Sequence, residues 1–239
     1  MIRLYVDQNL AAGQTVEGAP AQAHYLGNVM RLKPGDEVAL FNGRDGEWRA
    51  RVASLRRNEA VLIVEAQTRS QVAGPDLWLL FAPIKRTPLD YVVQKATELG
   101  VAALCPVMTR NTIAGRVKLE RVRANAVEAA EQTGRLDVPR VDEPMTLEDR
   151  IASWPADRRI LWCDETGASP PVAQALGGLA RGKWAVLTGP EGGFSPGELD
   201  LLRETPFVTG VGLGPRLLRA DTAALAAVTC WQAFIGDWR

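Results

Sequence analysis

The spacing of apolar positions changes character near residue 75. Before it, residues 37–42, 48–55 and 60–66 are short runs of β-branched or apolar side chains. Turn signals separate them: Pro34-Gly35-Asp36, Asn42-Gly43 with Asp45-Gly46, and Arg57-Asn58-Glu59. This pattern predicts a small antiparallel barrel or sheet, followed by a linker at Val72-Ala73-Gly74-Pro75. Beyond the linker, strand-like and helix-like periods alternate. Residues 77–83 read as a buried strand, and Thr87-Pro88-Leu89-Asp90 as a helix start with Thr87 as cap and Pro88 in the first turn. Leu89, Val92, Val93, Ala96 and Leu99 then recur at helical spacing up to Gly100. Residues 101–108, 159–163, 184–188 and 207–211 read as further strands, and 118–133 as a helix closed by Gly134. Such alternation predicts a mostly parallel α/β sheet. The expected division is residues 1–73 and 74–239. The segment 222–235 is apolar or small nearly all round, so it must be buried on several sides, in the core or at a subunit interface. It is shorter than the roughly 20 residues needed to cross a bilayer.

Composition narrows the class without naming a partner. The 239 residues carry 28 basic and 28 acidic side chains, so no bulk charge points to nucleic acid or membrane. The three cysteines, at 105, 163 and 230, form no C-x-x-C pair, which argues against a zinc site or a disulfide framework. The N-terminus MIRLYVDQNL lacks an apolar leader segment, and no run of about 18 apolar residues occurs. The expectation is a soluble cytoplasmic protein with no metal and no membrane contact.

Two glycine-bearing segments raise the question of chemistry. Within LTGPEGGFSPGEL (187–199), Gly193-Phe194-Ser195-Pro196-Gly197 fits the G-x-S-x-G pattern of serine hydrolases. That motif needs the backbone N–H after the serine for its oxyanion hole, and Pro196 has none. The only histidine, His24, lies far upstream, whereas such hydrolases place it after the nucleophile. Ser195-Pro196-Gly197-Glu198 instead reads as a capping box that starts a helix. This leaves Thr188 to Gly193 as a loop between a strand and a capped helix, the place where α/β folds bind ligands. The second segment, 210–222, again joins a strand to a helix. Its Gly210-Val211-Gly212-Leu213-Gly214 echoes a dinucleotide fingerprint but fails the final x-x-G spacing.

At these residues the sequence resembles the ribosomal RNA small subunit methyltransferase E family, of the SPOUT (trefoil-knot) class. The resemblance rests on Gly189-Pro190-Glu191-Gly192-Gly193 and Leu213-Gly214-Pro215-Arg216-Leu217-Leu218-Arg219 with Asp221-Thr222-Ala223. His24-Tyr25-Leu26 with Val29-Met30-Arg31, Gln94-Lys95-Ala96-Thr97-Glu98-Leu99-Gly100-Val101 and Glu131-Gln132-Thr133-Gly134-Arg135 agree in colinear order. The resemblance implies an N-terminal PUA-like β-barrel and a C-terminal SPOUT α/β domain tied in a deep trefoil knot, an exception to the rule against threading. It implies a homodimer that transfers methyl from S-adenosyl-L-methionine to uracil N3 of one uridine in 16S rRNA of the small ribosomal subunit.

Carried onto this chain, the cofactor-binding residues are Leu187, Thr188, Gly189 and Gly192 from the first loop. From the second they are Leu213, Gly214, Leu217, Leu218 and Thr222. Arg219 is the expected cation that stabilises the N3 anion, and Glu191 or Asp221 the acceptor of its proton. RNA contacts are expected at His24, Arg31, Lys85, Arg86, Arg110, Arg116 and Arg135, through phosphates in the main. The chain has Asp221 where the family usually has Glu, and Thr109-Arg110-Asn111 where Ser-Glu-Arg is more usual. Two rivals share these residues: an enzyme of the same class that methylates a ribose 2′-OH, and a non-catalytic RNA-binding protein.

Overall fold

The computed structural model describes residues 1–113 and 115–238. Contacts divide the chain into two compact units, Met1–Ala73 with Val127–Val138, and Gly74–Ala126 with the chain from Pro139 onward.

The first unit holds β1 (Ile2–Tyr5), β2 (Thr15–Gly18), α1 (Pro20–His24), a π-helical turn at Tyr25–Val29, β3 (Glu37–Phe41), β4 (Glu47–Arg56) and β5 (Glu59–Arg69). The sheet runs β1-β3-β4-β5-β2. It is mixed, because β1 lies parallel to β3 while every other pair is antiparallel. Alternation along β4 sends Ala50 and Val52 into a core with Leu4, Leu26, Leu40, Leu62 and Val64. The outward Arg49 and Arg51 pair across strands with Glu65 and Glu37. At the β3–β4 turn the Asn42 side chain accepts from the amides of Arg44 and Asp45, at 3.0 and 2.8 Å. Gly46 there has φ 79°, and any Cβ would run into the Arg69 carbonyl.

Residues 127–138 belong to this unit, although the sequence pattern places them in the C-terminal domain. The last turns of the helix Leu119–Thr133 leave carbonyls without intrahelical donors. Arg3 supplies the donors: its guanidinium bonds the carbonyls of Ala130, Glu131 and Arg135, and its Nε reaches Glu47 at 2.7 Å. The Tyr5 amide donates to the Glu131 carboxylate at 2.9 Å, and Phe41 packs with Ala130 and Leu136.

The second unit holds β6 (Leu77–Phe81), α2 (Arg86–Glu98), β7 (Ala103–Met108), the first part of α3 (Leu119–Thr133) up to Ala126, β8 (Arg140–Val141), β9 (Met145–Thr146), α4 (Leu147–Ala152) and β10 (Arg158–Cys163). It continues with α5 (Val172–Leu176), β11 (Lys183–Thr188), α6 (Pro196–Glu204), β12 (Val208–Val211) and α7 (Ala220–Phe234). Its sheet runs β12-β10-β11-β6-β7-β8, with β9 beside the end of β7, and every pair is parallel. The central strands are continuously apolar because both faces are covered: Leu79, Leu80, Ile160, Leu161, Val186 and Leu187 are fully buried.

One helix start differs from expectation. α2 begins at Arg86, with Lys85 at the cap position and no side-chain cap, so Thr87 lies inside the first turn. Pro88 permits this, since its φ is already helical and its missing N–H falls among the unpaired donors of a helix start. Asp90 turns to α3 instead, accepting from Arg121 at 2.7 and 2.5 Å and from Asn125 at 2.8 Å. Gly100, at φ 90°, ends α2 as its position suggests. α7 buries Ala224, Ala227, Val228, Trp231 and Gln232, and packs against α2, β11 and α5. Ala226, on its opposite side, is half-buried, while Leu225 and Phe234 lie on its two flanks, half-buried and exposed.

Candidate active site

All strands of the second sheet point the same way, so their carboxyl ends share one edge. Three loops rise from the adjacent strands β10, β11 and β12 there. A cavity of about 460 Å³ opens between residues 163–167 and 212–218. A second, of about 470 Å³, is lined by 188–193, by 217–220, and by Cys163 and Glu165. The two adjoin, sharing Cys163, Glu165, Leu217, Leu218 and Ala223.

Each loop is held by identifiable bonds. Ser195 caps α6, and the buried Glu198 carboxylate accepts from the Ser195 amide at 2.7 Å and from the Arg110 amide at 2.9 Å. Ser195 is therefore committed to helix capping, as the sequence pattern implies. Asn111 donates to the carbonyls of Gly192 and Gly193, so the segment after β7 clasps the glycine loop. Gly189 is required by packing: a Cβ there would lie 2.8 Å from the Phe194 ring. The third loop is bridged to residues 169–172, with the Gly212 amide donating to the Pro170 carbonyl and the Val172 amide to the Gly212 carbonyl.

The loop after β10, which the sequence pattern does not single out, is the most strongly anchored. Burial alone would raise the Asp164 carboxyl, but hydrogen bonds from the hydroxyls of Thr166 and Ser169 and from the Thr166 amide outweigh it, so its pKa lies below the ordinary value. Glu165 accepts from the Phe194 amide at 2.9 Å and so ties this loop to the glycine loop. Burial pushes the Cys163 thiol up, leaving it protonated at neutral pH and unsuited to nucleophilic work. The one signal for this loop is its place after a buried strand, since it carries no glycine run.

Of the expected cofactor residues, Thr188, Gly189, Gly192, Leu213, Gly214, Leu217 and Leu218 line the cavities. The structure does not bring Leu187 and Thr222 to these walls: Leu187 is fully buried in the sheet core, and Thr222 is exposed on the first turn of α7. Glu191 and Arg219 share the wall of the second cavity. Asp221 lies off that wall, its Oδ1 accepting from the Thr222 amide at 2.9 Å. Arg219 is 78% exposed, with Nε 3.6 Å from Asp221.

The expected RNA contacts fall in different places. Lys85, Arg86 and Arg116 line a separate basic cavity. Arg110 is exposed beside the glycine-loop clasp. In the first unit His24 and Arg31 are exposed around the π-helical turn, and Arg31 has φ 57°. The Arg135 side chain is largely covered and bonded to Asp137. Among the described residues no cluster of three metal-ligating side chains occurs, and no helix is long and apolar enough to cross a membrane.

A parallel sheet whose carboxyl-edge loops close around two adjoining cavities defines a ligand-binding α/β domain, here joined to a small mixed-sheet domain. Residues 73–232 match the RNA methyltransferase domain family and residues 19–65 the RNA methyltransferase PUA domain family. The chain is 30% identical to ribosomal RNA small subunit methyltransferase E of Rickettsia conorii, over 95% of this chain and 93% of that one. It is 33% identical to the Synechocystis protein of the same name, over 98% of this chain and 78% of that one. The crystal structure of the Neisseria gonorrhoeae ribosomal RNA small subunit methyltransferase E bound to S-adenosyl methionine superposes with a TM-score of 0.90, at 29% identity and full coverage of both chains. The chain belongs to the ribosomal RNA small subunit methyltransferase E family.

Proposed function

We propose that this chain transfers the methyl group of S-adenosylmethionine to uracil N3 of one uridine in 16S rRNA of the small ribosomal subunit. The observation that carries the proposal is the pair of adjoining cavities with Arg219 and Glu191 on one wall. Each cavity falls within the ~300–1,000 Å³ range of small-molecule sites. Glycine backbone and the side chains of Leu213, Leu217 and Leu218 line them, which fits a nucleoside with an apolar face and a polar edge. When bound there, the cofactor supplies an electrophilic methyl group.

The protein must then make N3 a nucleophile, since neutral uracil holds a proton on it. The Arg219 guanidinium favours the anion by charge, and a carboxylate takes the proton. Glu191 suits this role better than Asp221, because it shares the Arg219 wall while Asp221 is bonded to the start of its own helix. In this reading residues 1–73 hold RNA, with His24 and Arg31 meeting phosphates. Residues 74–239 bind cofactor, catalyse and dimerise, with Lys85, Arg86, Arg110 and Arg116 extending the RNA surface. Arg135 joins that surface only after leaving Asp137. The apolar residues that α7 leaves uncovered support the homodimer.

The test is methyl transfer from labelled S-adenosylmethionine to unmodified small subunits, read by nucleoside mass spectrometry. Label in 3-methyluridine is the expected result. Label in a 2′-O-methyl nucleoside would overturn the target atom and keep the methyl transfer. No label, with cofactor binding intact, would favour a non-catalytic RNA-binding role.

A further inference from the structure

A third cavity, of about 360 Å³, lies at the same carboxyl edge, between the start of α2 and the segment leading into α3. Five cationic side chains line it: Lys85, Arg86, Arg116, Lys118 and Arg121. Asp90 is the single carboxylate, so the walls carry a net of four positive charges. That carboxylate is already committed. The Arg121 guanidinium bonded to it holds its pKa below the ordinary value, and Asn125 adds a further bond. Among the described residues Lys85, Arg86, Arg116 and Lys118 form no ion pair, and α2 starts without a side-chain cap. The buried Ile84, Val117 and Val122 form an apolar floor. Four like charges around one cavity repel each other, and within the Debye length of about 10 Å salt relieves this only in part. An anion relieves it directly.

The cavity is also wired to the methyl-transfer site. β6, which leads into it, pairs with β11, which leads into the glycine loop, and the Ala82 amide donates to the Thr188 carbonyl at 3.1 Å. The segment after β7 bonds the glycine loop through Asn111 and supplies Arg116 and Lys118 to the basic cavity a few residues later.

We infer that this cavity is a phosphate subsite that grips the RNA backbone beside the target nucleotide, and so fixes which nucleotide enters the active site. This rests on the methyl-transfer reading above. Arginines at a rim bind phosphate oxygens in forked pairs, and such contacts set register without reading sequence.

The experiment follows binding of a labelled single-stranded RNA oligonucleotide by fluorescence anisotropy across a salt series. It compares the intact protein, the double variant Arg116→Ala with Lys118→Ala, and Lys183→Ala, which removes a charge at the opposite end of β11. The double variant is expected to lose about tenfold in RNA affinity, with the salt slope reduced by about 0.7 for each phosphate it no longer neutralises. Lys183→Ala should change affinity by less than about twofold, since Lys183 is paired with Asp157 at the amino end of its strand, away from the cavity, and S-adenosylmethionine titration should give the same affinity for all three. A double variant that matches Lys183→Ala in affinity and slope overturns the subsite. If inorganic phosphate protects the intact protein from heat but RNA affinity is unmoved by the double variant, the cavity is a free-anion site and the inference falls. Binding is read without turnover, so a protein that transfers no methyl but shows the expected slopes keeps the subsite and loses the methyl-transfer reading.

Discussion

Among the described residues the exposed Arg219 side chain has one ion pair, a 3.6 Å contact with Asp221. Such pairs are worth about 0–1 kcal/mol, so the guanidinium can turn toward a developing anion at little cost. Arg219→Ala should leave S-adenosylmethionine affinity unchanged and lower single-turnover methyl transfer by roughly 10²–10³-fold. Turnover within about twofold, under ~0.5 kcal/mol, would show that charge at this position does not act on the reacting nucleobase. Asp164 gives a prediction on acid stability. Its folded pKa lies below that of the unfolded chain, so its contribution is complete above the ordinary aspartate value of about 3.9 and is lost as pH falls through the lower folded value. Thermal melts of Asp164→Asn should therefore fall below the parent near neutral pH and converge with it in strong acid. A gap that stays constant through the acid range would contradict this origin. Arg219 and Glu191 stand in glycine-rich motifs, which is what makes them candidates from sequence, and both line one cavity. Asp164 and Glu165 are not legible in this way, because a carboxylate that organises a loop has no signature until the Thr166, Ser169 and Phe194 groups it binds are known.

The capped start of α6 was readable from four residues, since a capping box is a local device. What could not be read is that Glu198 also reaches the Arg110 amide, 88 positions away. Glu198→Ala removes a buried acceptor from two amides and should cost about 1–3 kcal/mol in urea unfolding. Loss of the tie to Arg110 should also loosen the Asn111 clasp and weaken S-adenosylmethionine binding. Gly189→Val should abolish that binding while the protein stays folded, because the added side chain displaces Phe194 beneath the loop. Gly197→Ala, where the added carbon meets open space, is the control. Calorimetric titration checks both, and intact binding in Gly189→Val would mean that the cofactor binds elsewhere. The long alternating elements were legible by period. The four-residue strands β1 and β2 and the short α4 and α5 were not, since so few residues complete no period and only partners such as Val38 and Ile63 define them.

For the whole molecule, α7 presents the clearest expectation. One side covers the sheet, and Leu225, Ala226 and Phe234 continue the apolar character around the rest of its surface. Light scattering should return about twice the 26.0 kDa chain mass. Leu225→Asp with Phe234→Asp should shift it toward one chain. A monomer in the parent protein would remove the dimer from the proposal. The return of residues 127–138 to the first unit has no signal in the sequence pattern, because the Arg3 guanidinium that collects their carbonyls acts across more than a hundred positions. A fragment of residues 1–73 lacks Ala130 and Leu136 against Phe41 and should melt without a cooperative transition by circular dichroism. That return has a bearing on descent. A cut at the linker gives no exchangeable cassette, since the N-terminal part carries away only some of its own packing. Recombination between relatives at that point would set an N-terminal part against a 127–138 segment from the other parent.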